Sequence, residues 1–191
     1  MILSKIFGRS KADDAAYRLY QSLVGQARAP QFYLDFGVPD SLSGRFEMIV
    51  LHAFLILDRL KGEGKEAAGL AQRIFDIMFD DMDQSLRELG VGDLSVGKKI
   101  QTMASVFYGR TGAFDEGVRA LEQPGGTRAA LEAAVARNLF PDGAPDKNLS
   151  GGEAVTVLTD YLLASRALLA GQPVAGFLAG EARFAPPPGR G

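Results

Sequence analysis

The stretch from Gly44 to Leu60, GRFEMIVLHAFLILDRL, constrains the fold more than any other part of the chain. Phe46, Val50, Ala53 and Leu57 recur at helical spacing and make one face, with Ile49, Ile56 and Leu60 beside it. Apolar residues also reach the far side. A helix that is apolar nearly all round must be enclosed by other elements, so this segment predicts the central helix of a bundle. No apolar run in the chain reaches the roughly 18 residues of a membrane span. A length of 191 residues suffices for one domain with a substantial core.

The rest of the chain supplies the enclosing elements. Ser10 followed by Asp13 predicts a helix start, and that helix runs to about Arg28, burying Ala16, Tyr20, Leu23 and Ala27 before Pro30 ends it. The segment QFYLDFGVPDSLSG reads as an aromatic loop seated in a groove of its own domain: Phe32, Tyr33 and Phe36 are too close together for one helical stripe, and Gly37 and Pro39 punctuate them. After the polar turn KGEGKE, a helix to Leu89 carries Phe75, Phe79, Met82, Leu86 and Leu89 as its stripe, and Gly90 supplies a left-handed stop. The next helix is expected from about Ser95, as its cap, through Gly109 and Gly112 to Leu121. Interior glycines predict either a kink or the close approach of another backbone.

Thr127 is expected to cap a short alanine-rich helix to about Phe140, PDGAPDKN reads as an exposed loop, and Ser150 with Glu153 forms a capping box for a helix ending at Gly171. Pro173 opens a last short helix through Ala179. The expectation is an all-α, single-domain irregular bundle of about six to seven helices, without strands or repeats. Residues 1–10 form a basic amphipathic segment, 11–182 the helical domain and 183–191, ending APPPGRG, a disordered tail. In the first segment Ile2, Leu3, Ile6 and Phe7 lie opposite Lys5 and Arg9, which suits either a frayed terminus or a weak contact with a membrane surface. It lacks the continuous apolar core of a secretory signal, and it is not an obvious mitochondrial leader.

Composition narrows the chemistry. The absence of cysteine removes disulfides, thiolate metal sites and cysteine nucleophiles, and a single histidine removes histidine triads and multi-histidine metal centres. A net charge of −2 argues against a dedicated nucleic-acid binder. Phosphate-binding glycine loops, GxSxG and HExxH are all absent. An enzymatic reading would rest on His52 and a carboxylate such as Glu47 or Asp58 facing one pocket. No catalytic residue, metal site or cofactor is therefore expected.

Two contact surfaces are expected instead. Asp76, Asp80, Asp83 and Arg87 stand one above another at helical spacing, and across the Gly90–Gly92 turn Lys98 and Lys99 fall in the opening turn of the following helix. Ammonium groups at the positive end of a helix dipole are unfavourable by about 0.3–1 kcal/mol each at a surface. That cost predicts an ion-pair network with Asp80 and Asp83, or alternatively an acidic partner; Asp80, Asp83, Arg87, Lys98 and Lys99, joined by Arg110, make the first surface. The second is the strip Met48, His52, Leu55 and Arg59 with the aromatic loop of Phe32 and Tyr33, a cationic rim beside apolar side chains that suits an apolar peptide.

The segments FYLDFGVPDSLSGRFEMIVLHAFL (Phe32 to Leu55), DDMDQSLRELGVGDLSVGKKI (Asp80 to Ile100) and FYGR (Phe107 to Arg110) resemble the ubiquinol–cytochrome c chaperone family. The resemblance covers roughly Ala15 to Leu121 and is most specific in the middle segment. It implies an all-helical, non-catalytic assembly factor for ubiquinol–cytochrome c reductase that binds newly made cytochrome b. Further partners implied are a small assembly protein and the ribosome, with no direct DNA binding. Without a presequence the chain resembles the compact bacterial form, for which a cytoplasmic place, peripheral at the inner membrane, is expected. The competing reading is a peripheral membrane or lipid-binding helical protein without a client.

Overall fold

The structure is a computed structural model and describes residues 10–143 and 151–189. Among these residues there is no strand. The helices are α1 (Lys11–Ala27), α2 (Pro30–Leu34), α3 (Leu42–Leu60), α4 (Lys65–Glu88), α5 (Asp93–Glu122), α6 (Ala129–Leu139), α7 (Gly151–Ala170) and α8 (Val174–Leu178). The chain is an all-α bundle, as its apolar patterning predicts.

Helix α3 is the centre. Every residue from Phe46 to Ile56 is buried, and α1, α4, α5, α6 and α7 all pack on it. Burial of a large apolar side chain is worth about 1.5–3 kcal/mol, so a helix buried on all faces concentrates much of the stability of the fold. Ser41 caps it, its hydroxyl accepting from the amide of Gly44 at 3.2 Å. Gly44 has to be glycine, since a Cβ there would stand 2.0 Å from the carbonyl oxygen of Pro39.

Helix α1 begins with the expected capping box between Ser10 and Asp13. The aromatic segment after it is not wholly a loop: Pro30 opens the one-turn helix α2, which drives Phe32 fully into the core, and Phe36 and Val38 follow it inward. Helix α4 ends as read, with Gly90 at φ +82°, its amide bonded to the Arg87 carbonyl and that of Val91 to Leu86, a Schellman arrangement. The buried stripe of α4 also includes Leu70, Ile74 and Met78, whereas Leu89 is exposed.

Three local expectations are corrected. Helix α5 starts at Asp93 with Gly92 as its cap, so Ser95 is not the cap. Helix α6 starts at Ala129 without a side-chain cap, so Thr127 does not serve one. Gly109 and Gly112 mark neither a close approach nor a break; α5 runs through both for 30 residues, and a Cβ at either would meet nothing. Close approach occurs at Gly117 instead, where a Cβ would lie 2.7 Å from Cα of Leu131 in α6. The N-terminal segment up to Arg9, Ser150 of the expected capping box and most of the PDGAPDKN loop lie outside the described residues.

From Glu181 to Gly189 the chain has no helix, and it bonds to α1, α7 and the turn before α8. Gln26 Nε2 donates to the Ala185 carbonyl at 2.9 Å, the Ala185 amide to Ser165 Oγ at 3.3 Å, and the Arg183 amide to Gln172 Oε1 at 2.9 Å. Ala185 is buried, and the Phe184 ring packs edge-on to His52 at 5.2 Å.

Candidate functional site

The expected charged surface splits in two. At the turn between α4 and α5, Arg87 bonds Asp83 one helical turn earlier at 2.5 Å and reaches across to Asp93 at the start of α5. This pairing straps the two helices together, and Asp93 places a carboxylate at the positive end of the α5 dipole. Asp80 belongs elsewhere. It is exposed on the face of α4 turned toward α1, in an acidic recess with Asp13, Asp76 and Asp81. The expected ion pairs from Lys98 and Lys99 to Asp80 and Asp83 do not form. Because α5 begins two residues before Ser95, the lysines stand in its second turn, where the dipole penalty has largely decayed.

Lys98 and Lys99 instead border an open groove of ≈ 690 Å³ between the N-terminal parts of α3 and α5, with Leu86 of α4 at one end. On α5 the residues Lys99, Met103, Val106 and Arg110 follow at alternating steps of four, three and four, so they form one stripe along the groove. Leu42 and Phe46 of α3 supply the opposite wall. The floor is therefore apolar and the edge cationic. Lys98 and Lys99 are exposed and pair with no carboxylate among the described residues.

Arg110 is anchored. Its Nε donates to Glu47 Oε1 at 3.1 Å, with Glu47 almost fully buried in the wall of the groove. Burial raises the Glu47 carboxyl above its usual range, and the guanidinium of Arg110 pulls the other way. Oε2 of Glu47 has no hydrogen-bond partner. An unpaired buried oxygen beside a positive guanidinium holds Arg110 firmly at this position, because loss of the cation would leave a carboxylate stranded in an apolar wall.

The second expected surface is interior. Met48, His52, Leu55 and Phe32 are buried to 1 % exposure or less, with α7 packed on α3 and Phe184 of the C-terminal segment against His52. Tyr33 is half-buried and its hydroxyl donates to the Ala27 carbonyl at 2.7 Å. Arg59 holds the end of α7, donating to the carbonyls of Leu169 at 3.1 Å and Gln172 at 2.9 Å, with its guanidinium 5.5 Å from the Phe177 ring. None of these side chains offers a free surface. Nor does the enzymatic constellation form: His52 meets Met48 and Tyr161, Glu47 pairs with Arg110, and Asp58 pairs with Arg166 at 2.7 Å. No cluster suited to a metal ion occurs among the described residues.

The groove is thus an open apolar recess with a cationic edge, and comparison with known proteins gives the molecule a setting. Residues 34–184 match the ubiquinol-cytochrome C chaperone family. The chain belongs to that family. The match carries on through α6, α7 and α8, well past Leu121, where the recognisable motifs of the sequence stop. Among family relatives, ubiquinol-cytochrome-c reductase complex assembly factor 1 of Xenopus laevis is 26 % identical over 156 residues, covering 82 % of this chain and 72 % of that protein. The mouse assembly factor 1 is 30 % identical over 125 residues, 65 % of this chain, and the chain spans only 42 % of the mouse protein's length. A crystal structure of the Cbp3 homolog from Brucella abortus, a bacterial form of this chaperone family, aligns over 97 % of both chains with a TM-score of 0.76 and 39 % identity.

Lys98, Lys99 and Arg110 of the expected charged surface border the groove, without the ion pairs from the two lysines to Asp80 and Asp83 that the spacing suggested. Sequence reasoning missed Leu42, Phe46, Met103 and Val106 as a groove. The signal available was the four-and-three spacing from Lys99 to Arg110, in which two apolar residues sit between cations on one helical face.

Proposed function

We propose that this chain is an assembly chaperone for ubiquinol–cytochrome c reductase that binds newly made cytochrome b, with the groove between α3 and α5 as its client surface. Family membership supports the assembly role, and the relatives are named for that same complex. The observation that carries the site is the pairing of an apolar floor with unpaired Lys98 and Lys99, in a chain whose other large apolar side chains are mostly consumed by its core. A newly made membrane protein presents apolar segments that need cover before assembly, and a groove of this kind gives that cover without catalysis.

No helix among the described residues is long and apolar enough to cross a membrane, so the reading has the chain meeting its client as a peripheral component at the inner membrane. A small assembly partner and the ribosome belong to the same reading as further contacts. The test is deletion of the gene in its own host, followed by a difference spectrum of membrane cytochromes. Selective loss of the b-type haem signal and of ubiquinol–cytochrome c reductase activity, with other oxidases intact, is the expected result. Normal levels of both would overturn the proposal.

A further inference from the structure

Resting on the reading of the groove as a client surface, we infer that its occupant is an amphipathic α-helix of about three turns, apolar on the side facing Phe46 and Met103 and acidic along the edge facing Lys98 and Lys99. The length follows from the groove. Beyond Ser95 at its end, the cationic and apolar part of its α5 side runs from Lys98 to Arg110, twelve residue steps, or about 18 Å of helix rise. A partner of about twelve helical residues matches that span with side chains at i, i+4, i+7 and i+11 directed to the floor.

A helix suits the site better than an extended strand. The walls are two helices whose backbone groups beyond the first turn are bonded within each helix, so an extended peptide would find no strand edge along the groove with which to pair. A helical partner brings its own backbone bonds and needs only side-chain contacts. A bilayer surface suits it less well, because the apolar residues line a concave groove and not a protruding face, and because Glu47 sets a carboxylate into its wall.

Charge fixes the chemistry of the edge. Among the described residues Lys98 and Lys99 have no carboxylate partner, and Arg110 is bonded to Glu47 through Nε. This is a local excess of positive charge in a chain of net charge −2. Carboxylates on the occupant complete it, steering the encounter and setting the register of the helix. The direction of the preference is therefore acidic over basic at the same apolar content.

The experiment uses the full chain and three fluorescent peptides of about fourteen residues, read by anisotropy. One is apolar on one side with glutamates along its edge; the second carries lysines in their place; the third is the acidic peptide with a central proline. The acidic peptide is expected to bind saturably, the basic and proline peptides about tenfold or more weakly. Lys98→Glu with Lys99→Glu should weaken the acidic peptide about tenfold and improve the basic one, at an unchanged melting profile. Equal binding of acidic and basic peptides, or undiminished binding of the proline peptide, overturns the inference. So does binding only to phosphatidylglycerol vesicles, lost in the double variant. If the acidic peptide fails while the double variant still cannot restore reductase activity to the deletion host, the helix assignment falls and the client surface stands. If the double variant restores activity fully, the client surface itself falls.

Discussion

Inside α3 the imidazole of His52 is neutral, and its neighbours fix which nitrogen carries the proton. The Met48 carbonyl, 2.7 Å from Nδ1, can only accept, so Nδ1 donates. Nε2 must then accept, and the Tyr161 hydroxyl at 2.7 Å donates to it while itself accepting from Gln26 at 3.0 Å. Burial pushes the histidine down to about 4, with the Met48 carbonyl opposing. The sign for stability follows. The folded value is depressed below the ordinary 6.5, so the contribution is full above 6.5 and is lost as pH falls toward 4, because the unfolded chain takes up a proton that the folded chain refuses. Urea unfolding at pH 7.5 and pH 5 should show a loss of about 2 kcal/mol from this group. His52→Leu should remove that portion of the pH slope, although it lowers stability at pH 7.5 by leaving the Tyr161 hydroxyl without its acceptor. An unchanged slope in the variant would mean that His52 titrates freely. Glu47 works in the opposite sense: its raised carboxyl favours the folded state below the ordinary 4.5, a contribution lost as pH rises through the folded value.

At the scale of elements, α5 carries two kinds of glycine that look alike in the sequence. Gly109 and Gly112 are exposed in the helix interior with open space where a Cβ would go. Gly109→Ala and Gly112→Ala should each stabilise the fold by about 0.5–1 kcal/mol, since the only cost of these glycines is backbone freedom in the unfolded chain. Gly117→Ala should do the reverse, as its methyl would press on the backbone of Leu131 and force α6 away. Thermal melts of the three variants separate the cases; a gain at Gly117 would contradict the packing of α5 on α6. Spacing within one helix was legible, which is why the boundaries of α1, α4 and α8 were read closely. Which glycine meets a neighbour depends on α6, and single-chain patterning holds no record of it. The contacts of the C-terminal segment are not legible for the same reason. Proline-rich composition says that such a segment cannot build its own core, but Gln26, Ser165 and Gln172 on α1, α7 and the turn before α8 supply its hydrogen bonds from a distance.

For the whole molecule, the all-α architecture was written into the apolar circumference of α3, and the motifs from Phe32 to Arg110 pointed to the family. The candidate site was only half legible. Helical periodicity put Lys98 and Lys99 on one side of a turn and carboxylates on the other, but Asp83 pairs with Arg87 one turn along α4 itself, and Asp80 lies on the face of α4 packed toward α1. The Met48–His52 strip misled because a helix enclosed on all faces also presents stripes, and α7, which covers this one, comes more than 90 residues later. Among the recesses left open on the described residues, the groove between α3 and α5 is walled by Leu42, Phe46, Met103 and Val106 and edged by Lys98, Lys99 and Arg110.

Cytochrome b is the proposed occupant of this groove, and site-directed photocrosslinking in the native host tests that proposal most directly. A photoreactive phenylalanine analogue at Thr102, inside the groove, should give an adduct with newly made cytochrome b that Lys98→Glu with Lys99→Glu suppresses. The same analogue at Gln21, in the acidic recess beside α1, should give none. An adduct from Gln21, or none from Thr102 at equal protein levels, would contradict the account.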